Sequence, residues 1–190
     1  ANYLKVTGTA SMIAGSTNEL TITAYDQYDN VVSSGSNNYT GSKSLTFSGP
    51  GNAPSGTQPT VEGTNVGSAT NVTFTNGVSN SNAATLIAYK AETTAVDVSD
   101  CSINSTGNAS YDLDLTVNPA GLNDFTVIPS TTSPTTDDSF TVVLTARDQY
   151  QNTKTDYDGA KSVTWTWASG GSNSPAGNAA QKPTNGNQTF

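Results

Sequence analysis

Apolar side chains fall at alternate positions through short stretches of this chain, with polar residues between them. Leu4 and Val6 alternate within residues 3–7, and Leu20, Ile22 and Ala24 within 19–25. Leu45 and Phe47 do so within 43–49, and Val72 and Phe74 within 71–77. Residues 84–91, 94–99 and 111–117 carry the same rhythm. Successive side chains of a strand point to opposite faces, so this period predicts strands with one dry and one wet face. Gly, Pro and Asn clusters separate the runs, Asn76-Gly77 among them, and no run has helical periodicity. Seven short strands within residues 1–118 predict an antiparallel β-sandwich. The stretch 50–70 reads as a long loop.

The pattern then starts again. Residues 24–30, Ala-Tyr-Asp-Gln-Tyr-Asp-Asn, return at 146–152 as Ala-Arg-Asp-Gln-Tyr-Gln-Asn, 122 positions on (146 − 24). Residues 43–47 return at 161–165, 52–56 at 173–177, and 71–74 at 187–190. Self-similarity at a nearly constant spacing, drifting as loops change length, marks an array of like units. Asn118-Pro-Ala-Gly121 breaks the last strand of the first copy and leads directly into 122–128, which restarts the pattern. The expected organisation is a complete β-sandwich at 1–118 and a second one at 119–190 lacking its last three strands. A joint this short holds two domains end to end with limited freedom. Three accounts of the incomplete copy stand open: part of a longer array, a fragment, or a subunit completed by a neighbour's strand.

Composition narrows the function. Charged residues make up only 12% of the chain, about half the usual share, yet the regular alternation argues for an ordered protein with a polar surface rather than disorder. A net charge of −8 repels phosphate backbones and anionic headgroups, which speaks against nucleic-acid and peripheral membrane partners. No apolar run reaches the length of a membrane-spanning helix. Cys101 is the one cysteine, so no internal disulfide framework exists and a lone free thiol is expected. An opening at Ala1 that runs almost at once into a strand is the start that removal of a secretion signal would leave, and a chain cut at an arbitrary boundary would look the same.

With no histidine in the chain, neither a Ser-His nor a Cys-His pair can form, and no acidic pair recurs at matching positions of the two copies. An enzyme is not expected, and no cofactor. Asp26, Asp29 and Asn30 are oxygen ligands of the kind calcium takes. The competing reading is a turn in which Asp caps backbone amides and Asn adopts a left-handed conformation. Gln151 in place of Asp29 removes a charged ligand but leaves a turn intact, which favours the turn. The acidic pairs Asp97/Asp100, Asp112/Asp114, Asp137/Asp138 and Asp156/Asp158 are further calcium candidates, Asp112 and Asp114 reading as a solvated strand face. Tyr25, Tyr28, Tyr39, Tyr150, Tyr157, Trp165 and Trp167 are candidates for a sugar-stacking platform, although Trp165 and Trp167 share the inward phase. Of five sequons, at Asn38, Asn71, Asn104, Asn108 and Asn187, only Asn71 and Asn187 occupy equivalent positions, so these two are the candidate glycosylation sites.

Residues 19–30, 44–49 and 84–92 resemble bacterial Ig-like surface repeats of the invasin/intimin and filamin-like type, found in tandem in adhesins, surface-layer proteins and fibres. The resemblance covers the first copy and the available part of the second. It implies tandem Ig-like antiparallel β-sandwiches in an extracellular structural or adhesive protein of a bacterial or archaeal surface. Implied partners are neighbouring Ig-like domains or subunits, with surface glycans as candidates. The alternatives are a filament subunit assembled by strand complementation and a carbohydrate-binding module of a secreted hydrolase. Some members of this class carry a Lys–Asn crosslink, for which Lys5 and Asn118 are the candidate pair. The resemblance also places a Gly where this chain has Asp29 or Gln151.

Overall fold

The computed structural model describes residues 1–133, 135, 139–164 and 186–190, with the backbone alone at 186–188. It is all-β, with no helix among the described residues. Two compact units are present, Ala1–Lys154 and Thr155–Phe190.

Among its described residues the first unit holds fourteen strands: β1 (Tyr3–Thr7), β2 (Ser11–Ile13), β3 (Thr17–Glu19), β4 (Thr21–Tyr25), β5 (Gly41–Ser48), β6 (Thr60–Val61), β7 (Thr64–Asn65), β8 (Ala69–Thr75), β9 (Val78–Ser79), β10 (Thr85–Ile87), β11 (Glu92–Ser99), β12 (Leu113–Asn118), β13 (Leu122–Pro129) and β14 (Val142–Asp148). One curled sheet has the order β1-β4-β9-β8-β5-β11-β12-β2, and a smaller one the order β3-β10-β6-β7. Every pair is antiparallel except β12 with β2, which is parallel.

Each alternating run buries the face its apolar residues mark. Leu4, Val6, Ile22, Leu45, Phe47, Val72, Phe74, Val96 and Leu115 from the large sheet share one core with Val61 and Leu86 from the small one. Three sequence expectations change. Residues 1–118 hold twelve strands rather than seven. The run at 19–25 is not one strand: the chain leaves the small sheet at Glu19 and enters the large one at Thr21, with Leu20 buried at the crossing. The stretch 50–70 is not bare loop either, because β6 and β7 form a small hairpin within it.

The second copy repeats the first at the level of strand register. Ala146 on β14 faces Phe125 on β13 as Ala24 faces Leu4, and Thr145 faces Thr126 as Thr23 faces Lys5. A bulge between Leu122 and Asp124 absorbs one residue. In the second unit, β15 (Ala160–Val163) pairs with β16 (Gly186–Thr189). Ser162 lies opposite Asn187 there, as Ser44 lies opposite Asn71. The Tyr39 ring meets Phe74 edge-on at 4.8 Å with the Lys43 ammonium 4.7 Å above it. Tyr157, Phe190 and Lys161 repeat that trio at 5.1 and 5.0 Å. Surroundings differ more than geometry does. Leu4 is fully buried, whereas Phe125, at the same register position, is 41% exposed.

Candidate functional site: the two Asp-Gln-Tyr turns

Both copies of the turn are built from the same backbone bonds. Asp26 N–H donates to Asn30 C=O and Asp29 N–H to Asp26 C=O, and Asp148, Asn152 and Gln151 repeat these two bonds. Asp26 Oδ1 accepts the N–H groups of Tyr28 and Asn30 at 2.8 and 2.9 Å. Asp148 Oδ1 accepts those of Tyr150 and Asn152 at 2.9 and 2.8 Å. The amide of Asn30, then that of Tyr28, holds the Asp26 carboxyl below its ordinary pKa, against a smaller opposing effect of burial.

The left-handed residue is Asp29 (φ 63°) or Gln151 (φ 65°), not the Asn expected from sequence. Asn30 must return both its N–H and its C=O to Asp26, so the inversion falls on the residue before it. A residue with a β-carbon there carries about 1 kcal/mol of backbone strain. A cross-bond from β1 or β13 steadies that residue. Tyr3 Oη donates to Asp29 Oδ1 at 2.8 Å in one copy, and Gln151 Nε2 donates to Asp124 Oδ2 at 3.1 Å in the other. Tyr3 and Asp124 occupy the same register position, facing Tyr25 and Arg147. Donor and acceptor have changed sides, and the bond persists.

The turns part company in what they touch. The first is open to solvent, with Tyr28 75% exposed, although in both turns the Asn amide donates to the Asp carboxylate. The second is seated against the first repeat, with Asp148 and Asn152 buried. Asn152 Oδ1 accepts the Ala91 N–H at 2.8 Å and its Nδ2 donates to the Tyr89 carbonyl at 2.7 Å, as a neighbouring strand would. Asp148 Oδ2 accepts the N–H of Ala120 in the connector at 2.9 Å. The Tyr150 carbonyl accepts the Ser55 N–H at 3.0 Å, and the Tyr150 ring tilts against Tyr89 with centroids 5.0 Å apart. A β-carbon built on Gly15 (φ 82°) would overlap that ring, so Gly15 is both conformationally and sterically required. Asp148, Tyr150 and Asn152 therefore form a knob, and Gly15, Ser55, Tyr89, Ala91 and Ala120 its socket.

No protein-family model, curated protein or solved structure matches this chain.

Asp97 Oδ1 accepts from Ser105 Oγ, while Asp100 accepts from Tyr39 Oη, Ser102 N–H and Ile103 N–H. Burial opposes ionisation of Asp100, but those three donors outweigh it and leave its carboxyl lowered. Burial, then the hydrogen bond to Asp100, pushes the Tyr39 hydroxyl upward. Asp114 is exposed, but Asp112 lies ahead of β12, partly covered, with a buried Oδ1 that has no partner. Desolvation, then Asp97 and Asp114, raises its pKa, which corrects the expectation of two solvent-facing carboxylates. Among the described residues no three acidic, Cys or His side chains converge as metal ligands. Asp156 and Asp158 are exposed, and Asp137, Asp138, Trp165 and Trp167 lie outside the described residues.

Tyr3 stacks between Tyr25 (5.2 Å) and Tyr111 (3.9 Å), so these rings spend faces on one another. Tyr39 is buried. The Asn118 amide donates to Ser11 Oγ and the Met12 carbonyl on β2, while Lys5 lies opposite Thr23. Asn71 is exposed on β8, and Asn187 takes the matching backbone position on β16. Cys101 is free and exposed. Sequence reasoning named the turn but not its socket. The available signal was that Tyr and Asn are kept in both copies while the residue between them changes.

Proposed function

We propose that the chain is a non-enzymatic segment of an extracellular structural or adhesive array. Its units are Ig-like β-sandwich repeats of a bacterial or archaeal surface protein, serving as a stalk, adhesin or surface-layer block. The seated Asp148–Asn152 turn carries this reading. It is spent on joining one repeat to the next, with two Asn152 side-chain hydrogen bonds and one accepted by the Tyr150 carbonyl tying it to the first repeat, and one from the connector to Asp148. Such a joint restricts the hinge that a short linker alone would leave, which suits a spacer that must hold a distal domain in a set direction. Acidity and a lone cysteine agree with a surface role. The partners on this reading are further repeats or subunits of the same protein, with surface glycans at a distal tip. An antiserum against the chain should label intact cells of the source organism, and external protease should remove the label. Labelling only after permeabilisation would overturn the proposal.

A second reading, a filament subunit whose second repeat receives a neighbour's strand, draws on the exposure of Val127, Ile128 and Val143 on the β13–β14 hairpin (53, 60 and 58%). A monodisperse monomer by sedimentation sinks it, while fibres under the electron microscope would support it.

A further inference from the structure

The two turns are the same device in two states, one seated and one free. We infer that the Asp26–Asn30 turn is itself a docking knob, whose partner is the socket end of another repeat of this kind. This rests on the array reading above and adds the direction and chemistry of assembly. The knob is fully formed before docking: Asp26 already binds the Tyr28 and Asn30 amides, and Asp29 already holds the left-handed conformation. A preformed knob loses little conformational entropy on seating. Tyr28, 75% exposed, holds the position at which Tyr150 packs on Gly15 and Tyr89. Asn30 need not give up Asp26 on seating, because Asn152 Nδ2 keeps the matching bond to Asp148 Oδ2 at 2.8 Å while donating to the Tyr89 carbonyl at 2.7 Å and accepting the Ala91 N–H on Oδ1 at 2.8 Å.

The socket is read almost wholly through backbone atoms: the Tyr89 carbonyl and the N–H groups of Ala91, Ser55 and Ala120. A partner therefore needs an extended segment offering a carbonyl and an N–H two residues apart, a residue without a β-carbon beside the ring, and a connector N–H for the second Asp oxygen. Side-chain identity elsewhere is unconstrained, so repeats that have diverged in sequence still fit. The first repeat's own socket is filled by Asp148–Asn152, so the occupant is a repeat whose socket is vacant, placed ahead of Ala1.

The test is a tandem chain in which residues 1–121 precede the whole 190-residue sequence, with Tyr28→Phe in the leading copy so that one Tyr28 remains. Tetranitromethane nitrates exposed tyrosines, and mass spectrometry reads each site. In the natural chain Tyr28 should react fast and Tyr150 slowly. In the tandem chain, Tyr28 should slow by about tenfold, as for a joint seated nine-tenths of the time. Asn30→Ala in the second copy should restore fast nitration. The inference is overturned if Tyr28 reacts in the tandem as it does in the natural chain while Tyr150 stays protected. If Tyr150 is as reactive as Tyr28 in the natural chain, the joint does not hold in solution, and the array reading falls with it.

Discussion

Asp26–Asn30 and Asp148–Asn152 share backbone bonds, capping bonds and a left-handed fourth residue, yet one turn is wet and the other is buried. A turn's own hydrogen bonds therefore define its shape and not its role. Role follows from whether a surface is present that meets its Tyr and Asn. The same contrast holds between Leu4, which sits in a closed core, and Phe125, at the same register position and 41% exposed. In both pairs the local sequence specifies a conformation, and burial depends on what lies across from it.

Removing the Asp from each turn should give the widest split between them. Asp148 accepts four hydrogen bonds while fully buried, so Asp148→Ala strands the N–H groups of Tyr150, Asn152 and Ala120. A loss of about 4 kcal/mol is expected by urea denaturation, since each stranded buried donor costs about 1–3 kcal/mol. Asp26→Ala exposes the matching groups to water, which satisfies them, and should move the midpoint far less. Equal effects of the two substitutions would mean that the seating adds nothing.

Gly15 and Tyr150 test the ring's place in the socket. Gly15→Ala should cost about 2–3 kcal/mol, part from the left-handed backbone (φ 82°) and part from the clash with Tyr150. In a Tyr150→Ala background the clash disappears, and about 1 kcal/mol should remain. Additive effects in this double-mutant cycle would place the ring elsewhere.

The core faces of the first copy's main strands were legible because a period of two is a local signal and core faces obey it. Leu45, Phe47, Val72 and Phe74 are buried as the alternation marks them. The break at Leu20 was not legible, because both sheets accept the same inward phase there and only strand pairing reveals the switch. The socket escaped for a related reason: its donors and acceptors are backbone groups, which every residue carries, at positions as far apart as Ser55 and Ala120. Gly15 alone had side-chain identity to report, and a glycine in a loop gives no hint of a partner 135 positions away (150 − 15). The swapped cross-bond shows what one chain with an internal repeat does offer. Tyr3 with Asp29, and Asp124 with Gln151, change together across the copies, as contacting pairs do.

That swap can be broken deliberately. Gln151→Asp sets a carboxylate against Asp124 where a donor stood, which should cost about 1 kcal/mol at neutral pH and less in acid. Asp29→Gln keeps an oxygen for Tyr3 Oη to donate to and should fall within about 0.5 kcal/mol of the parent. Thermal melts of both variants in parallel decide whether the bond or the particular residue matters.

The smallest effects should come from two carboxyls whose surroundings pull in opposite directions. Amide hydrogen bonds lower the Asp26 pKa in the folded chain. The stability it contributes is therefore present above the unfolded-state pKa and lost as pH falls through the lower folded value. Asp112 is the reverse case, because desolvation and then Asp97 and Asp114 raise its pKa. Its contribution is complete below the unfolded-state pKa and is lost as pH rises through the folded value, so at neutral pH the ionised group weakens the fold. Asp112→Asn should accordingly raise the melting temperature by a small margin at pH 7, and the gain should vanish in acid. Asp26→Asn should do the opposite, costing stability at pH 7 and little in acid. Melting curves of the two variants against the parent from pH 3 to pH 7 should therefore diverge from the parent in opposite directions. Curves that move together would show that neither carboxyl is governed by the local contacts described for it, whatever the seating of the two turns.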